Sequence, residues 1–150
     1  MAVAAAALML SGCGGGGGGP GGGGVAGKMK EAIKPCDDAN KATPKAQSDA
    51  KKGVLTLNEA KARADEGVAA CEAAVAAYEG MTDMPPNASD ACVGEAEAKL
   101  ELAVALRAGL DHAMARPYKA RIERASAEAT AAVKACKDAL AAKPEPAEKT

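Results

Sequence analysis

The chain has 150 residues and is nearly neutral, with 19 Lys and Arg against 20 Asp and Glu, so no global field steers it toward nucleic acid or an acidic partner. Forty residues are alanine, none is Phe or Trp, and only Tyr78 and Tyr118 are Tyr. That inventory argues against an aromatic-lined pocket, a deep β-sandwich or a doubly wound sheet. It favours thin, closely approaching helices, because Ala, Glu, Lys and Leu lose little on entering a helix. From Val25 onward 20 Leu, Ile, Val and Met residues are spread over 126 positions, too few for a thick core. The expected fold class is all-α: an antiparallel helical hairpin or a small three- or four-helix bundle, stapled by disulfides after a glycine-rich tether.

The first element is a leader. Ala2 to Leu10 is an uninterrupted apolar run of nine residues, the length of a secretory signal core and far short of the ~20 residues that span a bilayer. It is followed by Leu10-Ser11-Gly12-Cys13. This tetrad resembles the lipobox of bacterial lipoproteins, although the run starts directly after Met1 without the basic residues that usually open such a signal. The resemblance implies cleavage after Gly12 and lipidation of Cys13, whose thiol accepts a diacylglyceryl group, often with further acylation of the new amine. It also implies a lipid-anchored address in the bacterial cell envelope, at the outer membrane or the outer face of the cytoplasmic membrane, with the domain in the periplasm or at the cell surface. Gly14 stands where some such cells use Asp for inner-membrane retention, which implies outer-membrane delivery.

Residues 14–24 contain ten glycines and Pro20, a composition that reads as a flexible linker with an r.m.s. span of roughly 18 Å. The domain boundaries that follow are a signal peptide over 1–12, lipidated Cys13 with the glycine-rich linker over 13–24, an alanine-rich helical domain over 25–143 and a flexible tail over 144–150. Within the domain, Met29, Ile33 and Cys36 suggest a first helix weakened by Pro35 and Pro44. Thr56-x-x-Glu59 fits a capping box, so a second helix starts near Leu57 and ends near Gly80. Its seam is Ala64, Val68, Cys71, Val75 and Tyr78. Met81 to Ser89 reads as a turn, with Ser89 or Asp90 capping a third helix whose apolar face runs from Val93 through Leu106 and Leu110 to Met114. After Pro117 a last stripe, Ile122, Ala129, Val133, Cys136 and Leu140, continues to about Ala142. Ile33, Val68 and Val133 each stand three residues before a cysteine, a similarity that the seam pattern of alanine-rich helices explains as well as duplication does.

Once Cys13 is set aside for lipid, Cys36, Cys71, Cys92 and Cys136 remain, an even number without any C-x-x-C pair. In an oxidising compartment two disulfides are the first expectation, with three connectivities open; free thiols or a scattered zinc site are the alternatives. Residue 86 lies midway between Cys36 and Cys136, so one long hairpin turning there predicts Cys36–Cys136 and Cys71–Cys92. The breaks at Lys52-Gly53 and Arg116-Pro117 then bend both arms together, giving either a long kinked hairpin or one folded into a four-helix bundle. On that hairpin the acidic middle of the chain forms the tip and the basic arms form a base near the tether, read as a solvated face stabilised by i,i+4 pairs or, alternatively, as facing anionic headgroups.

No catalytic constellation stands out, and the chain does not read as an enzyme. His112 is the only histidine and follows Asp111, which points away from it on a helix; a surface histidine is the expectation. Glu95, Glu97 and Glu101 have helical spacing without a metal-ligand partner and read as solvated charges. The serines lack a nucleophile elbow, and the glycine tract lacks the strand or Lys-Ser/Thr context of a phosphate loop. Arg116, Lys119, Arg121 and Arg124 form a basic cluster without an aromatic platform, so nucleic acid is not an expected partner. Neither a cofactor nor a metal is implied.

The composition also resembles the murein lipoprotein of the Braun type, yet the chain ends Glu148-Lys149-Thr150 and no peptidoglycan linkage carries over. The expected role is a structural or interaction module, a spacer or adaptor held to membrane lipid through acylated Cys13 and presenting helix faces to an envelope protein. A tethered module for small apolar ligands, or an inhibitor, is the alternative.

Overall fold

The computed structural model describes residues 24–142, which form four helices: α1 (Val25–Lys51), α2 (Leu57–Glu79), α3 (Pro86–Asp111) and α4 (Arg116–Ala141). α1 runs unbroken through Pro35 and Pro44. Each proline removes one helical hydrogen bond, and both rings are exposed, away from the core face of Met29, Ile33, Cys36 and Ala46. Gly53 ends α1 in the left-handed region at φ 73°, and the Val54 amide returns to the Asp49 carbonyl at 2.9 Å. The capping box then starts α2: the Glu59 amide donates to Thr56 Oγ1 at 3.2 Å and the Thr56 amide donates to Glu59 Oε2 at 2.7 Å.

α3 begins earlier than the expected Ser89 or Asp90 cap. Pro86 occupies its first turn, where a missing N–H costs nothing, and the Pro85 carbonyl accepts from the amides of Ala88 and Ser89. Its other end is also earlier than the apolar stripe suggested. The helix stops at Asp111, and Met114 belongs to the turn into α4, where both Ala113 (φ 48°) and Met114 (φ 56°) take left-handed backbone conformations. Pro117 sits in the first turn of α4.

The helices run up, down, up and down. α2 packs on α1 and α3, α1 also touches α3, and α4 packs on α3 alone; no Cα of α1 comes within 8 Å of one in α4. Two full reversals, at Gly53 and at Ala113–Met114, therefore replace the bend in a single long hairpin. The Met81–Pro85 turn comes back to the end where α1 starts: Lys28 pairs with Asp83 at 2.5 Å, the Tyr78 hydroxyl donates to the Met29 carbonyl at 3.2 Å, and Asn87 Nδ2 donates to the Ala139 carbonyl at 3.0 Å.

This topology corrects the expected disulfides. The bonds are Cys36–Cys71 and Cys92–Cys136, each with a Cα separation of 4.5 Å, and not Cys36–Cys136 with Cys71–Cys92. Counting about residue 86 fails because α1 and α4 lie too far apart for a cystine, which spans about 4.4–6.8 Å between Cα atoms. The local turns supply the right centres. Gly53 and Val54 straddle the midpoint of Cys36 and Cys71, and Met114 is the midpoint of Cys92 and Cys136.

All four cysteines are fully buried in the larger core cluster, with Met29, Ile33, Ala74, Tyr78, Ala88 and Ala96 among their neighbours. A second, smaller cluster of Ala46, Ala60, Ala64 and Leu110 fills the Gly53 end. Small residues bring α1 and α2 close: a Cβ placed on Gly67 would lie 3.1 Å from that of Ala39. Peptide mapping without reduction should recover Cys36–Cys71 and Cys92–Cys136, and a Cys36–Cys136 peptide would refute the topology. Replacing both Cys36 and Cys71 by Ala should cost about 3–4 kcal/mol of unfolding free energy, measured by denaturant titration, since the bond closes a 35-residue separation.

Candidate functional site

Cys13, the expected lipidation residue, lies outside the described residues. Within them, charge is sorted by helix. α1 and α4 each carry six basic side chains, against four and three acidic ones, whereas α2 and α3 each carry five acidic and two basic. The acidic middle is therefore not a tip. It forms adjacent helices, and its turn at Asp83 lies at the end where α1 begins, next to Lys28. Charge is therefore sorted by helix and not by end of the bundle.

Since α4 rests only on α3, a cleft opens between α1 and α4. It comprises two neighbouring recesses of about 390 and 380 Å³ that share Asp37, Lys99 and Val133. Its floor holds an ion triad from two helices: Lys99 Nζ lies 2.8 Å from Glu95 and 2.9 Å from Asp37. Burial works against the Lys99 charge, but the hydrogen bonds to Glu95 and Asp37 outweigh it and hold the ammonium above its ordinary value. Burial first, then the Glu95 and Asp37 carboxylates, push the Tyr78 phenol up. Both shifts favour the protonated forms, an ammonium at Lys99 and a neutral phenol at Tyr78. Asn40 Nδ2 closes the floor by donating to the Lys99 carbonyl at 3.0 Å.

Reading the three α3 carboxylates as solvated holds for Glu97 and Glu101, which are exposed, the latter paired with Arg121 at 2.6 Å. It fails for Glu95, which is buried with Lys99. The signal was present: Glu95 and Lys99 are four residues apart, on the stretch of α3 that also buries Cys92, Ala96 and Ala103. The partner Asp37, remote in sequence, carried no local signal.

At the Gly53 end, His112 is exposed and its ring stacks on Tyr118, with centroids 4.1 Å apart and planes 8° from parallel. The neighbouring Asp111 turns instead to Arg107, at 2.5 Å, and to Lys61, at 2.9 Å. Hydrogen bonds from Arg107, then Lys61, bring its carboxyl down to about 2. Of the basic cluster, Arg121 is taken by Glu101, while Arg116, Lys119 and Arg124 are exposed and make no ion pair among the described residues.

Among the described residues, no group of three or more His, Cys, Asp or Glu is placed to hold a metal ion, and no helix is long and apolar enough to cross a membrane. No protein-family model, no curated protein and no solved structure matches the chain.

Lys99→Ala should cost about 2–3 kcal/mol, less than the 3–5 kcal/mol of a fully buried pair because the Asp37 side chain is 35% exposed. Lys99→Met combined with Glu95→Leu should recover most of that loss in the same denaturant titration. A second test follows from Asp111. Its folded pKa lies below the ordinary 3.8, so the stabilisation from Arg107 and Lys61 is present above that value and is lost as pH falls toward about 2. Between those limits Asp111→Asn should lose less stability than the native chain; parallel acid limbs would contradict the ion network.

Proposed function

We propose that this protein is a lipid-anchored module of the bacterial cell envelope, held through Cys13 and acting as a spacer or adaptor. The observation that carries the reading is the order of the chain: an apolar leader, Leu10-Ser11-Gly12-Cys13, a glycine-rich segment, and then a helical domain beginning at Val25. The tetrad has the chemistry that lipoprotein processing needs. Small residues at Ser11 and Gly12 admit the peptidase to the scissile bond, and the Cys13 thiol forms the thioether. Several acyl chains on one residue suffice for stable anchoring, since each buried CH₂ contributes about 0.8 kcal/mol whereas a single chain binds marginally.

The folded domain is compatible with an oxidising address, because its four cysteines are consumed in two cystines that cytosolic reductants would oppose. A structural or interaction role is supported by the mechanical character of the bundle: long helices, cross-linked hairpins, and a cleft between α1 and α4 whose floor is an ion triad satisfied within the protein.

Intact-mass analysis of protein extracted from bacterial membranes tests the reading. The expected mass lacks residues 1–12, carries a diacylglyceryl group on Cys13 and is four hydrogens lighter than the reduced chain. Cys13→Ser should abolish both the acyl mass and the cleavage after Gly12, so that the leader is retained. Recovery of the unprocessed chain from the cytosol with reduced cysteines would overturn the proposal.

A further inference from the structure

The Gly53 end of the bundle carries a recess of about 300 Å³ between the last turn of α1, the start of α2 and the turn joining α3 to α4. Its walls are apolar: Ala50, Leu57, Leu110, Ala113 and Met114. Leu57 is 50% exposed, and Val54 in the adjoining turn is 70% exposed; they are the two large hydrophobic side chains left in solvent among the described residues. Two charged groups stand at the recess. Asp111 is already committed to Arg107 and Lys61, whereas Lys51 makes no ion pair among the described residues, and neither do its neighbour Lys52 or Arg116 at the start of α4. Lys51 is thus the one charged group lining the recess that has no ion pair among the described residues, beside walls that are mainly apolar.

The backbone over this recess is strained. Ala113 and Met114 are consecutive non-glycine residues in the left-handed region, a conformation that costs about 1–3 kcal/mol for each such residue. The strain lays Met114 back across the end of α3: its amide donates to the Gly109 carbonyl at 2.8 Å, and a Cβ on Gly109 would come within 2.5 Å of the Met114 sulfur. Gly109 therefore makes room for Met114, an unbranched and adaptable side chain of the kind that fits apolar guests of varied shape. Core packing alone does not explain the arrangement, because Met114 is part of the wall of an open recess.

We infer that this recess binds a single-chain anionic amphiphile, with its carboxylate at Lys51 and its alkyl chain against Leu57, Leu110 and Met114. Size and charge both favour this occupant. The volume lies at the lower limit of small-molecule sites, about 300–1,000 Å³, which suits one medium-length chain and not a diacyl lipid. The unpaired ammonium at the rim selects a negative head over a positive one. The site lies at the opposite end of the helices from Val25, so it is independent of the anchoring reading: loss of binding leaves the Cys13 processing test untouched, and a failed processing test leaves this site standing.

Decanoate titrated into the full, oxidised Cys13→Ser chain tests the inference, followed by amide and methyl chemical shifts. Saturating shifts are expected at Ala50, Lys51, Leu57, Ala113 and Met114. Octanoate should bind about tenfold more weakly, as expected for two fewer buried methylenes. Lys51→Gln, a change on an exposed helical end, should weaken decanoate about fivefold, with Lys51→Arg restoring it. Decyltrimethylammonium should bind more weakly than decanoate to the native chain. Failure to saturate at millimolar decanoate, shifts centred on the α1–α4 cleft, or equal affinity for the cationic and anionic probes would each overturn the proposal.

Discussion

Each helical hairpin is closed by its own cystine, Cys36–Cys71 in the first and Cys92–Cys136 in the second, and the packing of the domain depends on those two covalent links. An alanine interior offers little area per residue, so burial alone leaves a narrow margin over the entropy of ordering four long helices. Cross-links of these spans each contribute about 4 kcal/mol in the chain-entropy model, on the scale of a small domain's whole stability. They also hold the helix pairs at a 4.5 Å Cα separation at the bonded level, a spacing that the neighbouring alanines and Gly67 accept and larger side chains would not.

With both hairpins fixed internally, the contact between them falls to α3. This helix meets α1, α2 and α4, and it buries ten residues where α4 buries three. It must therefore present more than one inward face, and Ala, Leu, Gly, Glu and Lys all occur among its buried positions. The ion triad follows from that demand. Glu95 and Lys99 face α1 across the cleft floor, where Asp37 completes the pairing and Asn40 satisfies the Lys99 carbonyl. Among the described residues no buried side-chain nitrogen or oxygen lacks a hydrogen-bond partner, which is the condition for keeping charge in so thin a core.

Local signals in the sequence were strong wherever the determinant was itself local. The Thr56–Glu59 capping box, the end of α2 near Gly80, the seam through Ala64, Cys71 and Tyr78 and the stop after Ala141 all depend on residues within a turn or two of one another. The errors lie where the determinant was a choice between symmetric alternatives. Both a single reversal at residue 86 and two reversals at Gly53 and Met114 place cysteines opposite one another; only three-dimensional packing decides between them. Gly53, able to adopt φ 73° without strain, was the better turn signal, but Met114 read as the last member of an apolar helical stripe and concealed the second reversal. The buried Glu95 was hidden in a similar way, because an i,i+4 pair with Lys99 looks the same in sequence whether it faces water or a third charge from another helix.

The two ends of the bundle are consequently unlike. Toward Val25 lie Cys92–Cys136, buried Tyr78 and much of the larger cluster, with Cys36–Cys71 near the middle of α1 and α2; toward Gly53 lie the smaller cluster, a capping box and two strained turn residues. Local opening should therefore concentrate at the Gly53 end, where fewer buried contacts resist it, and this is also the end with an apolar recess and unpaired lysine. Sites that admit a guest need walls that can yield, and the Gly53 end is the one farther from both cross-links. The recess and Val25 stand at opposite ends of α1, a helix of 27 residues, so the proposed guest sits a helix length from the start of the domain.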